Sequence, residues 1–258
     1  MTRNPIRKVL STLRSHDVRF LLMGGQACVF YGGAEFSRDT DIVILAEPAN
    51  LKRLSMALKS LDAESIAVPS LSIKHLNKGH AVHFRCRHPE ARNIRIDVMS
   101  VLRGVAGFST LWRRRTTVET EGGEQYDLMS LPDLVKAKKT QRDKDWPMLR
   151  RLLEAYYVAN QDNMSEEKVR FLLRELRTPE LLMDVVQAYP EACRRGERGR
   201  PLLRDARRGD VDAVARGLER EEQHEKKADA EYWQPLRKEL ERLRHHRVRR
   251  KRPSSGKK

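Results

Sequence analysis

Cysteine is scarce in this chain: Cys28, Cys86 and Cys193 are odd in number and widely spaced, which argues against a disulfide framework. Long apolar runs are missing as well. No window approaches the roughly 18 consecutive apolar residues needed to span a bilayer. The opening Met-Thr-Arg-Asn-Pro carries no apolar stretch of the signal-peptide kind. These absences predict a cytoplasmic protein with no membrane partner. No internal repeat is found, and acid is absent from Arg242 to Lys258.

What is present is basic charge. The formal net charge is +16 with pI ≈ 10.1, a balance that favours polyanionic partners such as nucleic acid or nucleotides. Nine of the positive side chains lie between Arg242 and Lys258, so the rest of the chain is only mildly basic. Both a solvated tail and a nucleic-acid arm fit that run. Hydrophobic residues make up 39% of the chain and cluster in the first 160 positions.

The periodicity predicts an α/β protein: a small mixed β-sheet core with packed helices over residues 1–130, an all-helical region over 131–245, and a disordered basic tail over 246–258. In the core, 5–16 reads as a helix and 18–23 as a buried strand stopping at Gly24–Gly25. A brief helix over 26–31 follows, then a strand over 41–45, a helix over 49–61, and strands over 80–86, 94–99 and 125–129. After Leu131–Pro132 the pattern predicts one long helix over 133–157, a helix capped by Ser165, another opened by Thr178–Pro179, and a mobile loop at 194–200. A long charged helix from Asp210 to about His245 closes the series, with a kink near Pro235.

Three features depart from what packing alone would choose. The first strand ends in a diglycine, which permits a tight turn and lets backbone N–H groups approach phosphate oxygens. The next strand begins Asp39-Thr-Asp41, whose period-two spacing projects both carboxylates from one face. Two such carboxylates repel unless a cation lies between them, and Mg²⁺ prefers one or two carboxylates plus phosphate oxygens. Asp97 interrupts a third, otherwise apolar strand, where it could orient an attacking hydroxyl or complete a second metal site. Each signal is weak by itself; the order strand, diglycine, helix, strand, Asp-x-Asp, strand, Asp is demanding.

The stretch GGQACVFYGGAEFSRDTDIVIL resembles the signature of the nucleotidyltransferase superfamily, and most of all AbiEii-like toxins and minimal nucleotidyltransferases. The resemblance extends to LPDLVKAKKTQRDKDWPMLRRLLE at 131–154 and covers about residues 18–155. It implies a metal-dependent transferase in which Asp39, Asp41 and Asp97 are catalytic and bind Mg²⁺ or Mn²⁺. It also implies nucleotide binding by Gly24, Gly25, Gln26, Ser37, Lys138 and Arg142. The implied partners are an NTP, an acceptor such as RNA or tRNA, and a cognate toxin or antitoxin. There are departures: Gln26 stands where many polymerase-type members carry serine, Glu35 where a basic residue is common, and Ser37 where threonine is usual. They motivate an alternative, a catalytically degenerate regulatory or antitoxin protein. A nucleic-acid-binding protein acting through the basic helical C-terminus is the rival from another class.

Lys138, Arg142 and Asp145 would share one face of the 133–157 helix, with Asp145 holding Arg142 by an ion pair; the same pattern also fits a solvated face with helix-stabilising salt bridges. His80, His83, Cys86 and His88 match no zinc template, because 80 and 86 face away from 83 on a strand. Arg113–Arg115 after Trp112 fits either a nucleic-acid contact by charge and stacking or a polar turn beside an anchoring aromatic, the turn being preferred. Trp146, Tyr156 and Tyr157 read as core.

Overall fold

The protein is described here from a computed structural model, which covers residues 5–120 and 122–251, the side chains of 247–251 excepted. The basic run from 252 onward, part of the expected tail, lies outside the described residues.

In chain order the elements are α1 (Pro5–Ser15), β1 (Phe20–Met23), α2 (Gly24–Phe30), β2 (Asp39–Ile44), α3 (Pro48–Ser60), β3 (Ala63–Ser65), α4 (Ile73–Asn77) and β4 (Val82–Cys86). Then come β5 (Arg95–Met99), α5 (Phe108–Arg114), β6 (Thr116–Glu119), β7 (Gln125–Leu128), α6 (Leu131–Lys138) and α7 (Asp145–Asn160). The chain finishes with α8 (Glu166–Glu175), α9 (Pro179–Ala188), α10 (Pro190–Gly196), α11 (Leu203–Arg208) and α12 (Val211–Lys251). The described residues group into two compact units. One is drawn from Met1–Gly24, Arg38–Met129 and Glu231–Lys258, the other from Gly25–Ser37 and Ser130–Ala230.

The first unit holds a seven-stranded mixed sheet in the order β3-β4-β5-β2-β1-β7-β6. β2 runs antiparallel to β1 and parallel to β5, and β1 pairs with β7 in parallel. This is the α/β class with packed helices that the sequence predicts. The central strands are short apolar runs because both faces are covered: Leu21, Leu22, Ile42, Val43, Ile44, Ile96 and Val98 have no exposed surface. Each such side chain contributes about 1.5–3 kcal/mol by leaving water. Helix α1 turns Val9, Leu10 and Leu13 inward, at the spacing of one helical face. Buried Asn50 fastens the ends of β1 and β2: its side chain accepts from Arg19 N and donates to the carbonyls of Arg19 and Leu45. Glu239 of α12 meets Lys78 Nζ, just after α4, at 2.7 Å.

The second unit is helical, and it departs from expectation in two places. The single helix expected over 133–157 is two, α6 and α7, separated at 139–144. Pro147 is the reason. In an unbroken helix its ring would collide with the carbonyl four residues back, whereas in the first turn of α7 its missing N–H costs nothing. The segment 194–200, expected as a mobile loop, is partly α10 and ends on a buried arginine. Arg200 donates to the carbonyls of Leu173 and Leu176 and to both oxygens of Glu221. Other expectations hold locally: Ser165 caps α8 by accepting from Lys168 N, and Trp146 is buried. Pro179 opens α9, but Thr178 makes no cap bond; its hydroxyl donates to Glu154 instead. Among the described residues, no helix is long and apolar enough to cross a membrane.

Candidate functional site

The chemistry-bearing face of the sheet follows from register. Asp41 pairs with Asp97 across β2 and β5, and Asp97 pairs with His83 across β5 and β4. One step along, Asp39 pairs with Arg95, and Arg95 with Arg85. Partners in register share a face, and positions two apart on one strand do as well. Asp39, Asp41, Arg95, Asp97 and His83 therefore stand together on one side of the sheet. The intervening Thr40, Ile96 and Phe84 are buried on the other side.

Gly24 closes this face at the end of β1. Its φ is +64°, a conformation that side chains disfavour. A Cβ there would lie 1.9 Å from Asp41 Oδ2 and 2.5 Å from its Cγ. Only glycine lets the Asp41 carboxylate lie against the backbone at this turn.

Asp97 has two hydrogen-bonding neighbours. Arg95 Nε donates to its Oδ1 at 2.7 Å, and His83 Nδ1 lies 2.8 Å from the same oxygen. A carboxylate cannot donate, so the imidazole proton sits on Nδ1 in that contact. Arg95 Nη2, 3.0 Å from the same nitrogen, is then a close neighbour and not a second bond. Burial pushes the Asp97 carboxyl upward, but the hydrogen bonds from His83 and Arg95 outweigh it and hold the group below its ordinary value. Arg95 also lies in the field of Asp39 and Asp41. Neither Arg95 nor the His83–Asp97 contact figures in the sequence reading. The readable signal was Arg95 itself, two places before Asp97 on the same strand face.

The residues present fit a divalent ion in one form. Asp39 and Asp41 offer two carboxylates on one face, with Gly24 leaving the space beside Asp41 clear of side chain. That suits Mg²⁺ completed by phosphate and water oxygens. Among the described residues, no three His, Cys, Asp or Glu side chains converge to hold a metal, and Asp97 is bonded to Arg95 and His83.

The other expected nucleotide-binding residues lie in the helical unit. Gly25 abuts Ser37, whose Oγ would be 2.6 Å from an added Cβ. Gln26 Nε2 donates to the Ser37 carbonyl at 2.9 Å, so the 25–37 segment closes on itself. Lys138 and Arg142 meet on Asp145, at 3.3 Å and 2.7 Å respectively. The ion pair between Asp145 and Arg142 is present, though it spans the break between α6 and α7. Asp145 is buried, so the trio is no solvated helix face. Elsewhere, Arg115 stacks over Trp112 at 4.4 Å and pairs with Asp127 of β7, which spends that guanidinium within the sheet unit.

No family model matches the chain, and no curated protein matches it. One solved structure similar to it is a crystal structure of a "putative nucleotidyltransferase" from H. pylori. It covers 88% of this chain and 94% of that chain, at 15% sequence identity and a TM-score of 0.39. A likeness of that degree carries no weight for activity.

Proposed function

We propose that the carboxylate face is the centre of a metal-dependent nucleotidyltransferase, which moves a nucleoside monophosphate from an NTP to a hydroxyl. The observation that carries this reading is the pressing of the Asp41 carboxylate against Gly24, with Asp39 and Asp97 on the same face. Packing has no use for three acids there, and the close carboxylate adds a second demand for glycine to the one the positive φ already makes. In the reaction the acceptor oxygen bonds to the α-phosphorus, the bond from that phosphorus to the pyrophosphate oxygen breaks, and the hydroxyl proton is released. Asp39 and Asp41 would hold Mg²⁺ or Mn²⁺, which when bound supplies positive charge to the phosphate oxygens. Asp97 is ionised but a weak base, since its partners stabilise the anion. Its part is to orient the acceptor hydroxyl. Arg95 adds fixed positive charge beside the three acids.

The acceptor is RNA such as tRNA, a protein side chain or a small molecule, and the +16 charge supports RNA. A toxin-like role with a cognate partner belongs to the same proposal and rests on the sequence resemblance alone. Two observations favour the alternative of a degenerate regulatory member: Arg95 and His83 both bond to Asp97, and Glu35 is exposed in the 25–37 segment.

The test is label transfer from each α-labelled NTP, with Mg²⁺ or Mn²⁺ and total RNA or lysate, beside the Asp39→Ala/Asp41→Ala double variant. Transfer by the wild type that the double variant loses supports the enzyme. Absence of transfer together with absence of metal-dependent NTP binding by the wild type overturns it, and NTP binding without transfer establishes the degenerate reading.

A further inference from the structure

The helical unit contains a cleft of roughly 460 Å³ at which α8, α10 and the start of α11 meet. Its floor is apolar, made by the buried Leu173 and Leu203. Its rim is cationic: Arg170, Arg174 and Arg195 line it with side chains 70%, 55% and 65% exposed. Glu166 is the one acid in the lining. A single one of its oxygens lies 3.1 Å from Arg170 and 3.6 Å from Arg195. Exposed pairs of this kind are worth little, so both guanidiniums can exchange that carboxylate for another anion. Arg200, also in the lining, is spent on two carbonyls and Glu221, and this pins the cleft wall in place.

We infer that this cleft binds a single strand of nucleic acid, with backbone phosphates on Arg170, Arg174 and Arg195 and one unstacked base over Leu173 and Leu203. Guanidinium forks match phosphate oxygens two at a time, and an apolar floor beneath arginines accepts the face of any base. The volume suits one nucleotide. A duplex, whose bases are stacked and paired inside the helix, has none to offer it. Gly196 and Gly199 keep the wall low. A Cβ on Gly199 meets only the Gly196 carbonyl, at 3.7 Å, so a larger side chain fits there without strain. The site lies wholly in the helical unit and stands whether or not the carboxylate face transfers nucleotides.

The test uses the full chain and fluorescence anisotropy with a labelled twelve-nucleotide RNA, its DNA counterpart and a hairpin duplex, over a range of salt. Arg170→Gln/Arg174→Gln/Arg195→Gln is expected to lose about tenfold or more in affinity, and to flatten the log–log salt slope by about 2, roughly 0.7 for each of the three phosphate contacts. Lys52→Gln/Lys59→Gln/Lys74→Gln, an equal charge loss on exposed lysines of the sheet unit, should change binding less than about threefold. Gly199→Leu should weaken single-strand binding about tenfold while leaving the salt slope unchanged. Binding of either RNA or DNA supports the site, and their ratio names the natural strand. The inference is overturned if the wild type binds neither strand, or if the arginine and lysine variants behave alike. It is equally overturned if Gly199→Leu binds as the wild type does, if the duplex binds as tightly as the strand, or if poly-glutamate displaces RNA as readily as unlabelled RNA does.

Discussion

At the scale of single residues, the carboxylate face depends on what is left out as much as on what is present. A methyl group at position 24 would occupy the place of the Asp41 carboxylate, so Gly24→Ala must displace one or the other. We expect the variant to remain folded while nucleotidyl transfer, measured with labelled NTP, drops about 100-fold, the usual effect of moving a reacting group by about 1 Å. Arg95 makes the opposite prediction. Its guanidinium neutralises part of the charge of Asp39, Asp41 and Asp97, so Arg95→Gln should raise Mn²⁺ affinity about tenfold in a direct metal titration. An unchanged affinity would mean that Asp39 and Asp41 do not bind the ion. Gly24 and the aspartates were legible in the sequence, because glycine at a strand end and acids in apolar strands are locally anomalous. The grip of Arg95 and His83 on Asp97 was not, since it needs the register of β4 against β5.

Among elements, the junction of α6 and α7 is the most instructive. The apolar pattern lapses over Lys138–Asp145, eight polar or charged residues in a row, and with Pro147 that lapse is the local sign of the break. The gap is built around buried Asp145, which collects Lys138, Thr140 and Arg142. Burial pushes the Asp145 carboxyl upward, but the charge of Lys138 and the bonds from Thr140 and Arg142 prevail, and the group is held below its ordinary value of 3.8. A carboxyl depressed on folding stabilises the protein above its unfolded pKa and ceases to do so as pH falls through the folded one. Wild-type stability in urea should therefore decline as pH drops below about 4. Asp145→Asn should lack that part of the decline and be weaker by about 3 kcal/mol at pH 7, having stranded the Lys138 ammonium in a buried site.

Across the whole molecule, two units share one chain, and each has its own means of cohesion. The sheet unit is held by aliphatic side chains on both faces. The helical unit is smaller in core and relies on buried ionic ties, chiefly Arg200 and Arg177 on Glu221. Arg200→Ala leaves two carbonyls unpartnered and Glu221 with Arg177 alone, a loss of about 2–4 kcal/mol. Hydrogen exchange should then speed up over 165–230 while 20–23, 39–44 and 95–99 keep their protection. Uniform loss across both regions would count against separate cohesion.

The sequence by itself determined the α/β class, most element positions and the identity of the three acids. Each of these is written in local pattern: apolar period, glycine at a strand end, charge where packing would place none. Only the tertiary structure decided that Asp97 is gripped by Arg95 and His83, and that Gly25–Ser37 groups with the helices. It also turned the arginine-rich stretch at 194–200 from an expected loop into one wall of a cleft. The reason is common to all three. Ion pairs, strand register and clefts join residues far apart in the chain, Arg200 to Glu221 and His83 to Asp97 among them, and no local pattern records which of many charged side chains will meet.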